Sequence, residues 1–306
     1  MKITFIITNL RTFGSVRELV ETANVLASLG CNVTIATKDG EQCMWLRNKN
    51  RVVTYQKAMA REPQDVVILM QEPYDDAFEC FKTIEAKFKT FVKMGFTEES
   101  LREALATNAN LKDIFDNHEI CADGAWQLEY IAKLGYRTGV SIGGINTKMF
   151  KPGDFERDIE AGISGDPRPR INNKLLEEML TENDISFDKY WGTFDQDQLV
   201  FFLQRCKIFM DNHERGGWCN PVLEAMACGC AVICSDIPCN AEFAIHNKTA
   251  IRVKVPTKAN YLKAYKDLVS KPAKLKKIQD AAAKEAQKWD YDFIGCMFYE
   301  YLKSKV

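Results

Sequence analysis

Apolar positions open the chain as a block and then continue at intervals. Ile3, Phe5, Ile6 and Ile7 form a short run that ends at Thr8-Asn9, and after a polar turn around Gly14-Ser15 the apolar residues recur as Leu19, Ala23, Leu26, Ala27 and Leu29. A short continuous run predicts a strand buried on both faces; the wider spacing predicts an amphipathic helix, which Gly30 stops. Val33-Thr34-Ile35-Ala36 begins a second strand, so the opening reads as a βαβ unit. Val66 to Met70, bounded by Pro63 and Pro73, repeats the strand rhythm.

From about 75 to 120 the pattern is charged and reads as helical, as in Phe81-Lys82-Thr83-Ile84-Glu85-Ala86-Lys87-Phe88-Lys89-Thr90-Phe91, with no strand signal. Such an insertion either grips an acceptor or pads the sheet. Ile120-Cys121-Ala122 and Thr138 to Ile142 predict short strands flanking a helix from Trp126 to Leu134. Gly143 to Pro152 then breaks the regular pattern, and a domain boundary is expected at 152. The second half restarts with Ile159 to Ser164 and a turn over 165–170. A strand over Lys207 to Met210 ends at Asp211, followed by a helix from about Pro221 to Cys228, a Gly229 stop and a strand Ala231 to Cys234. The expected fold class is α/β, with two Rossmann-like doubly wound domains, 1–152 and 153–287, facing a cleft, and a terminal helix over 288–306. Ligands bind beyond the carboxyl ends of the strands in such sheets.

Composition narrows this picture in three ways. At 306 residues the chain can bury two cores. Its 41 Lys and Arg against 42 Asp and Glu leave a net charge of −1, which argues against a large nucleic-acid footprint. Eleven cysteines with no leader ahead of them suggest free thiols in a reducing compartment, and no apolar run reaches the roughly 18 residues that a membrane-spanning helix needs. A cytoplasmic location is expected, with peripheral membrane contact left open.

The densest chemical signal is Glu214-Arg215-Gly216-Gly217-Trp218-Cys219-Asn220-Pro221-Val222-Leu223-Glu224-Ala225-Met226-Ala227-Cys228-Gly229, running on to Ser235-Asp236. The Gly-rich turn lets backbone approach a ligand closely, and Pro221 presets the first turn of a helix whose free N–H groups favour an anion. Glu224, expected in that first turn, is suited to accept hydrogen bonds from sugar or ribose hydroxyls.

This segment resembles the retaining glycosyltransferases of family 4, with the GT-B fold, whose signature is a Glu, seven residues, and a second Glu in a Glu-Ala-Met-Ala-x-Gly context. Gly14-Ser15 is similar to the family's N-terminal glycine loop. Gly144-Ile145-Asn146-Thr147 with Phe150-Lys151-Pro152 is similar to its interdomain segment, and Glu242 after Ile237-Pro238 to its Pro-Glu pair. The resemblance implies that Glu224 holds the donor ribose, that Gly14, Ser15, Gly216, Gly217, Trp218, Asn220, Pro221 and Val222 line the donor, and that the final helix returns to the first domain. It further implies an Arg and a Lys on the leaving diphosphate, a role that falls to Arg168, Arg170 or Lys174. Eight residues before Glu224 stands Gly216, so the family's first Glu is out of register and Glu214 lies two residues early.

The reaction implied is front-face displacement from a nucleotide-sugar, a UDP- or GDP-sugar above all, onto an unknown acceptor hydroxyl. It needs no protein nucleophile, cofactor or metal ion. Two alternatives stay open: a non-catalytic sugar-nucleotide-binding protein on the same fold, and a glycosyltransferase acting on a modified nucleic-acid base. Cys219, Cys228, Cys230, Cys234 and Cys239 cluster without Cys-x-x-Cys pairs and read as buried inert thiols. Glu72, after a strand, and His118, beside a strand expected to end at the cleft, are candidate acceptor-side groups. His213 is a candidate for the donor side, against a plain structural role.

Overall fold

The computed structural model describes residues 1–70, 73–165, 172–190 and 195–306. Two compact units divide it, one made of 1–144 with 291–306 and the other of 145–290. The boundary expected at 152 therefore lies inside the second unit, and the helical tail joins the first from Tyr291.

The first unit contains β1 (Lys2–Ile6), α1 (Gly14–Ser28), β2 (Asn32–Thr37), β3 (Arg51–Thr54), α2 (Tyr55–Met59), β4 (Gln64–Met70), α3 (Asp75–Thr83), β5 (Ala86–Lys93), α4 (Glu98–Thr107), α5 (Ala109–Asn117), β6 (Glu119–Ala122), α6 (Ala125–Lys133) and β7 (Thr138–Ser141). Its described strands form one parallel sheet in the order β3-β2-β1-β4-β5-β6-β7. One face of that sheet and its helices bury Ile6, Val67, Leu69 and Phe91 with Phe81, Leu111 and Phe115.

β5 corrects the expectation of an all-helical stretch between 75 and 120. Its lysines give the segment a helical look, but they serve the strand. Lys89 donates its Nζ to the carbonyls of Phe81 and Lys82 at 2.8 Å, satisfying the end of α3, and Lys87 pairs with Asp65 at 2.7 Å. The Lys89 ammonium also lies 5.5 Å from the centre of the Phe81 ring, and Thr90, Phe91, Val92 and Lys93 are buried.

The second unit contains β8 (Ile159–Ser164), α7 (Asn173–Glu182), β9 (Phe187–Tyr190), α8 (Gln196–Arg205), β10 (Cys206–Asp211), α9 (Asn220–Ala227), β11 (Ala231–Ser235), α10 (Pro238–Ala241), β12 (Ile251–Val253), α11 (Lys258–Val269) and α12 (Pro272–Ala286). Its described strands are again parallel, in the order β12-β11-β10-β8-β9, with β10 central. Ile163, Ile208, Met210 and Ile233 pack beneath Leu176, Tyr261 and Leu268. The last helix, α13 (Tyr291–Lys303), belongs to the first unit and lies against α1 so closely that a Cβ at Gly295 would stand 2.5 Å from Val25 Cγ1. Among the described residues no helix is long and apolar enough to cross a membrane.

The helix that carries the signature is fixed at both ends. Pro221 sits in its first turn, and beyond its end Gly229 turns the chain at φ +79°. A Cβ at Gly229 would meet Arg157 Nη2 at 2.9 Å, because Arg157 is tucked there, donating to the carbonyls of Cys228 and Cys206 at 2.6 Å. A guanidinium at a helix C-terminus satisfies orphan carbonyls and opposes the negative end of the dipole.

Candidate functional site

Apolar Ile208-Phe209-Met210 carries β10 through the core to Asp211 at its carboxyl end, where an open parallel sheet binds its ligands. Asp211 is 0% exposed, and four groups converge on it. The His213 backbone N–H donates to Oδ2 at 3.2 Å, the His213 imidazole Nδ1 lies 2.7 and 2.8 Å from the two carboxylate oxygens, the Cys219 thiol donates at 3.7 Å, and the Tyr261 hydroxyl donates to the Asp211 carbonyl at 2.9 Å.

The rest of the loop is pinned from both sides. Ser235, at the end of β11, donates its hydroxyl to the His213 carbonyl, and Asn240 donates to the Ser235 carbonyl at 2.9 Å. On the other flank Asn212 and Asn172 exchange bonds of 3.0 and 3.1 Å, the Asn212 N–H donates to Asn173 Oδ1 at 3.0 Å, and Asn172 Nδ2 donates to Glu214 Oε1 at 3.3 Å. Glu214 is thereby held beside the start of α7. Arg168 and Arg170, like Glu72, lie outside the described residues.

Burial alone would push the His213 imidazole down. The Asp211 carboxylate and the Cys219 sulfur outweigh it, and its pKa stands well above the ordinary value. Burial first, then Asp211, raises the Cys219 thiol. One atom each from Asp211, His213 and Cys219 lie within 4.8 Å of one another. Imidazole and carboxylate are nonetheless bonded directly to each other, so the set is a closed charge pair with a neutral thiol beside it rather than ligands open to an ion.

The signature residues divide into exposed and structural. Gly216, Asn220 and Pro221 are half-buried, while Gly217 and Val222 are buried. Trp218 is buried with its ring edge-on to Phe243 and Trp289, each at 5.1 Å, so most of its surface goes to packing. Glu224 is the fifth residue of α9, one step past the first turn expected of it, and is 4% exposed. After burial, the Glu224 carboxylate is the next cause that raises the Tyr190 hydroxyl at the end of β9. Lys174 is 85% exposed and pairs with Glu178 along α7 at 3.9 Å. The cysteines at 219, 228, 230, 234 and 239 are all buried.

In the first unit Gly14 and Ser15 open α1 beyond β1, Gly14 exposed and Ser15 half-buried. His118 is a correction. It ends α5 and precedes β6, which puts it at the amino end of the strand, the edge opposite to where ligands gather. Its ring meets Phe81 edge-on at 5.1 Å, and burial followed by the nearby Lys89 lowers its pKa, as suits a neutral packing residue.

Sequence reasoning missed Asp211, Asn172 and Tyr261. The available signal was the polar run Asp211-Asn212-His213-Glu214 directly after a fully apolar strand, which is where a parallel sheet opens its site.

Residues 170–288 match the family model for glycosyl transferases group 1. Among solved structures, a glycosyltransferase from Rickettsia africae superposes with a TM-score of 0.76 at 14% identity, over 99% of this chain and 98% of that one. Sucrose-phosphate synthase from Thermosynechococcus elongatus gives 0.75 at 12% over 99% and 98%. Anabaena HepE in complex with UDP and glucose gives 0.75 at 13% over 99% and 100%. At these identities the likeness shows the fold, that of GT-B glycosyltransferases. No curated protein matches the chain in sequence.

Proposed function

We propose that this chain is a retaining glycosyltransferase that moves a sugar from a UDP-sugar to an acceptor hydroxyl without a metal ion. The observation that carries the reading is the β10–α9 connection. A half-buried glycine turn leads into a helix N-terminus within the stretch that matches the group 1 family model, with the buried Glu224 one turn on and Glu214 tied to the start of α7. The N-terminus of a helix is the positive end of its dipole, which suits the departing diphosphate. Gly14 and Ser15, which open the first helix of the first unit, are similar to the family's glycine loop. In this reading Glu224 accepts hydrogen bonds from the ribose, Glu214 stands beside the sugar, and Asn220, Pro221 and Val222 shape the phosphate end. Arg168 and Arg170 come ahead of Lys174 as diphosphate partners, since the Lys174 ammonium is paired with Glu178. The acceptor hydroxyl attacks on the face that the diphosphate leaves, and the protein contributes position and fixed charge. UDP is favoured as the nucleotide because a protein of the same fold, HepE, was solved with it.

The test is release of nucleotide from UDP-, GDP-, ADP- and dTDP-sugars with and without EDTA. EDTA-insensitive turnover of the UDP-sugar is expected. Glu224→Gln, which keeps the buried shape, should lower kcat/KM by about 100-fold with an unchanged melting temperature, the typical loss for one preorganised hydrogen-bonding group. A second reading, donor binding without transfer, is favoured by one feature: Glu214 is exposed and stands two residues away from the family's spacing. Stabilisation by UDP-sugars with no turnover would select it.

A further inference from the structure

We propose that His213, held as a cation by Asp211, presents its outer ring nitrogen to the diphosphate of the donor. The inference deepens the proposed function and rests on it. Nδ1 faces inward to both oxygens of Asp211 and to Cys219, so Nε2 is the nitrogen left on the outer side of the ring. Among the described residues no group bonds Nε2, and the side chain retains 10% exposure at the strand end. Asp211 is fully buried, and a buried carboxylate needs a cation or a proton. The imidazolium supplies the cation, with the negative end of the pair sealed in the sheet and the positive end turned outward. The Ser235 bond to the His213 carbonyl fixes the ring's place on the loop that continues into Gly216-Gly217 and the α9 N-terminus. A fixed positive donor thus joins the positive end of the α9 dipole on the side that the leaving diphosphate would meet.

The same geometry rules out thiol chemistry. Cys219 approaches Nδ1, which Asp211 already engages, so the ring has no free nitrogen on that side to accept the thiol proton, and burial keeps the thiol neutral. The groups that face the imidazole are Asp211 and Cys219. Behind them stand Tyr261 of α11 and Cys234 of β11, both raised first by burial and next by Asp211, so neither carries charge near neutral pH.

The experiment is calorimetric titration of the whole chain with UDP and, separately, with uridine. At pH 7.5 His213→Gln should bind UDP about tenfold more weakly than the wild type and uridine equally well. As the pH is raised above neutral the wild-type ratio of UDP to uridine affinity should fall as the imidazolium loses its proton. The ratio should stay flat in His213→Gln and fall at lower pH in Asp211→Asn, because removing the carboxylate lowers the imidazole pKa. Equal weakening of UDP and uridine would make His213 a structural residue and overturn the inference alone, as would an unchanged UDP affinity. A wild-type chain that binds neither UDP nor uridine would overturn the proposed donor as well.

Discussion

Both units bury an aspartate at the carboxyl end of an interior parallel strand, and they settle its charge in opposite ways. Asp211 ends β10 fully buried, with an imidazole on both oxygens. Asp123 follows β6 and is 4% exposed, but its Oδ2 takes the Gly95 N–H only at 3.4 Å, and its Oδ1 has no hydrogen-bond partner among the described residues. Burial pushes the Asp123 carboxyl up to about 7, against the backbone N–H bonds and the nearby Lys93. One histidine two residues along the chain makes the difference between an ion and an acid. The second unit can therefore hold a charge separation at its strand ends, as anion binding requires, whereas in the first unit the equivalent carboxyl is neutral in mildly acidic conditions.

The largest effect should come from removing the ion that the network is built around. Asp211→Ala leaves the imidazole and the Cys219 thiol without their shared carboxylate, while the Tyr261 hydroxyl keeps the backbone carbonyl at 211, and breaking a buried charge pair on one side typically costs about 3 to 5 kcal/mol. Urea unfolding of the variant at pH 7 measures it. A loss comparable to that of an exposed aspartate would mean that the pair is not a pillar of the second unit.

Asp123→Asn should change stability in the other direction. The folded chain keeps the Asp123 proton up to about pH 7, whereas the unfolded chain gives it up near the ordinary value of 3.8. A raised carboxyl pKa contributes stability that is complete below 3.8 and is lost as the pH climbs through 7. Asparagine copies the protonated form at every pH. The variant should thus match the wild type at pH 4 and exceed it at pH 8 by on the order of 2 to 4 kcal/mol, since each tenfold rise in proton affinity corresponds to about 1.4 kcal/mol. A gain of equal size at both pH values would show that the carboxyl does not titrate in this range.

How much of this could be read from the chain alone follows from the same contrast. The βαβ openings were legible because buried parallel strands are continuous apolar runs, and the signature around Glu224 because its glycines and proline have few other uses. Part of that signature is structural: Gly229 is required by its positive φ and by Arg157 beneath it, from far earlier in the chain, a contact no local pattern reveals. β5 was missed because the lysines of a strand and those of a helix look alike until their acceptors are known. His118 was misplaced for a related reason, since composition does not say which end of a strand a flanking residue occupies. Asp211 and His213 stand next to the signature, yet their pairing needs a loop folded back by Ser235 and Asn240 from another strand and helix.

The smallest expected effect concerns Lys174, which the family resemblance put among the diphosphate contacts. Its ammonium stands in solvent 3.9 Å from Glu178, and such pairs are weakened by screening and by the entropy of two long side chains. Nothing buried depends on it, so Lys174→Ala should leave the melting temperature unchanged. If the Asp211–His213 pair and the α9 N-terminus supply the positive potential at the phosphates, UDP affinity should change by less than about threefold, the scale of one exposed charge in water. A tenfold loss at unchanged stability would instead mean that the lysine leaves Glu178 when nucleotide arrives, and would move the positive charge from the strand end of β10 to the first turn of α7.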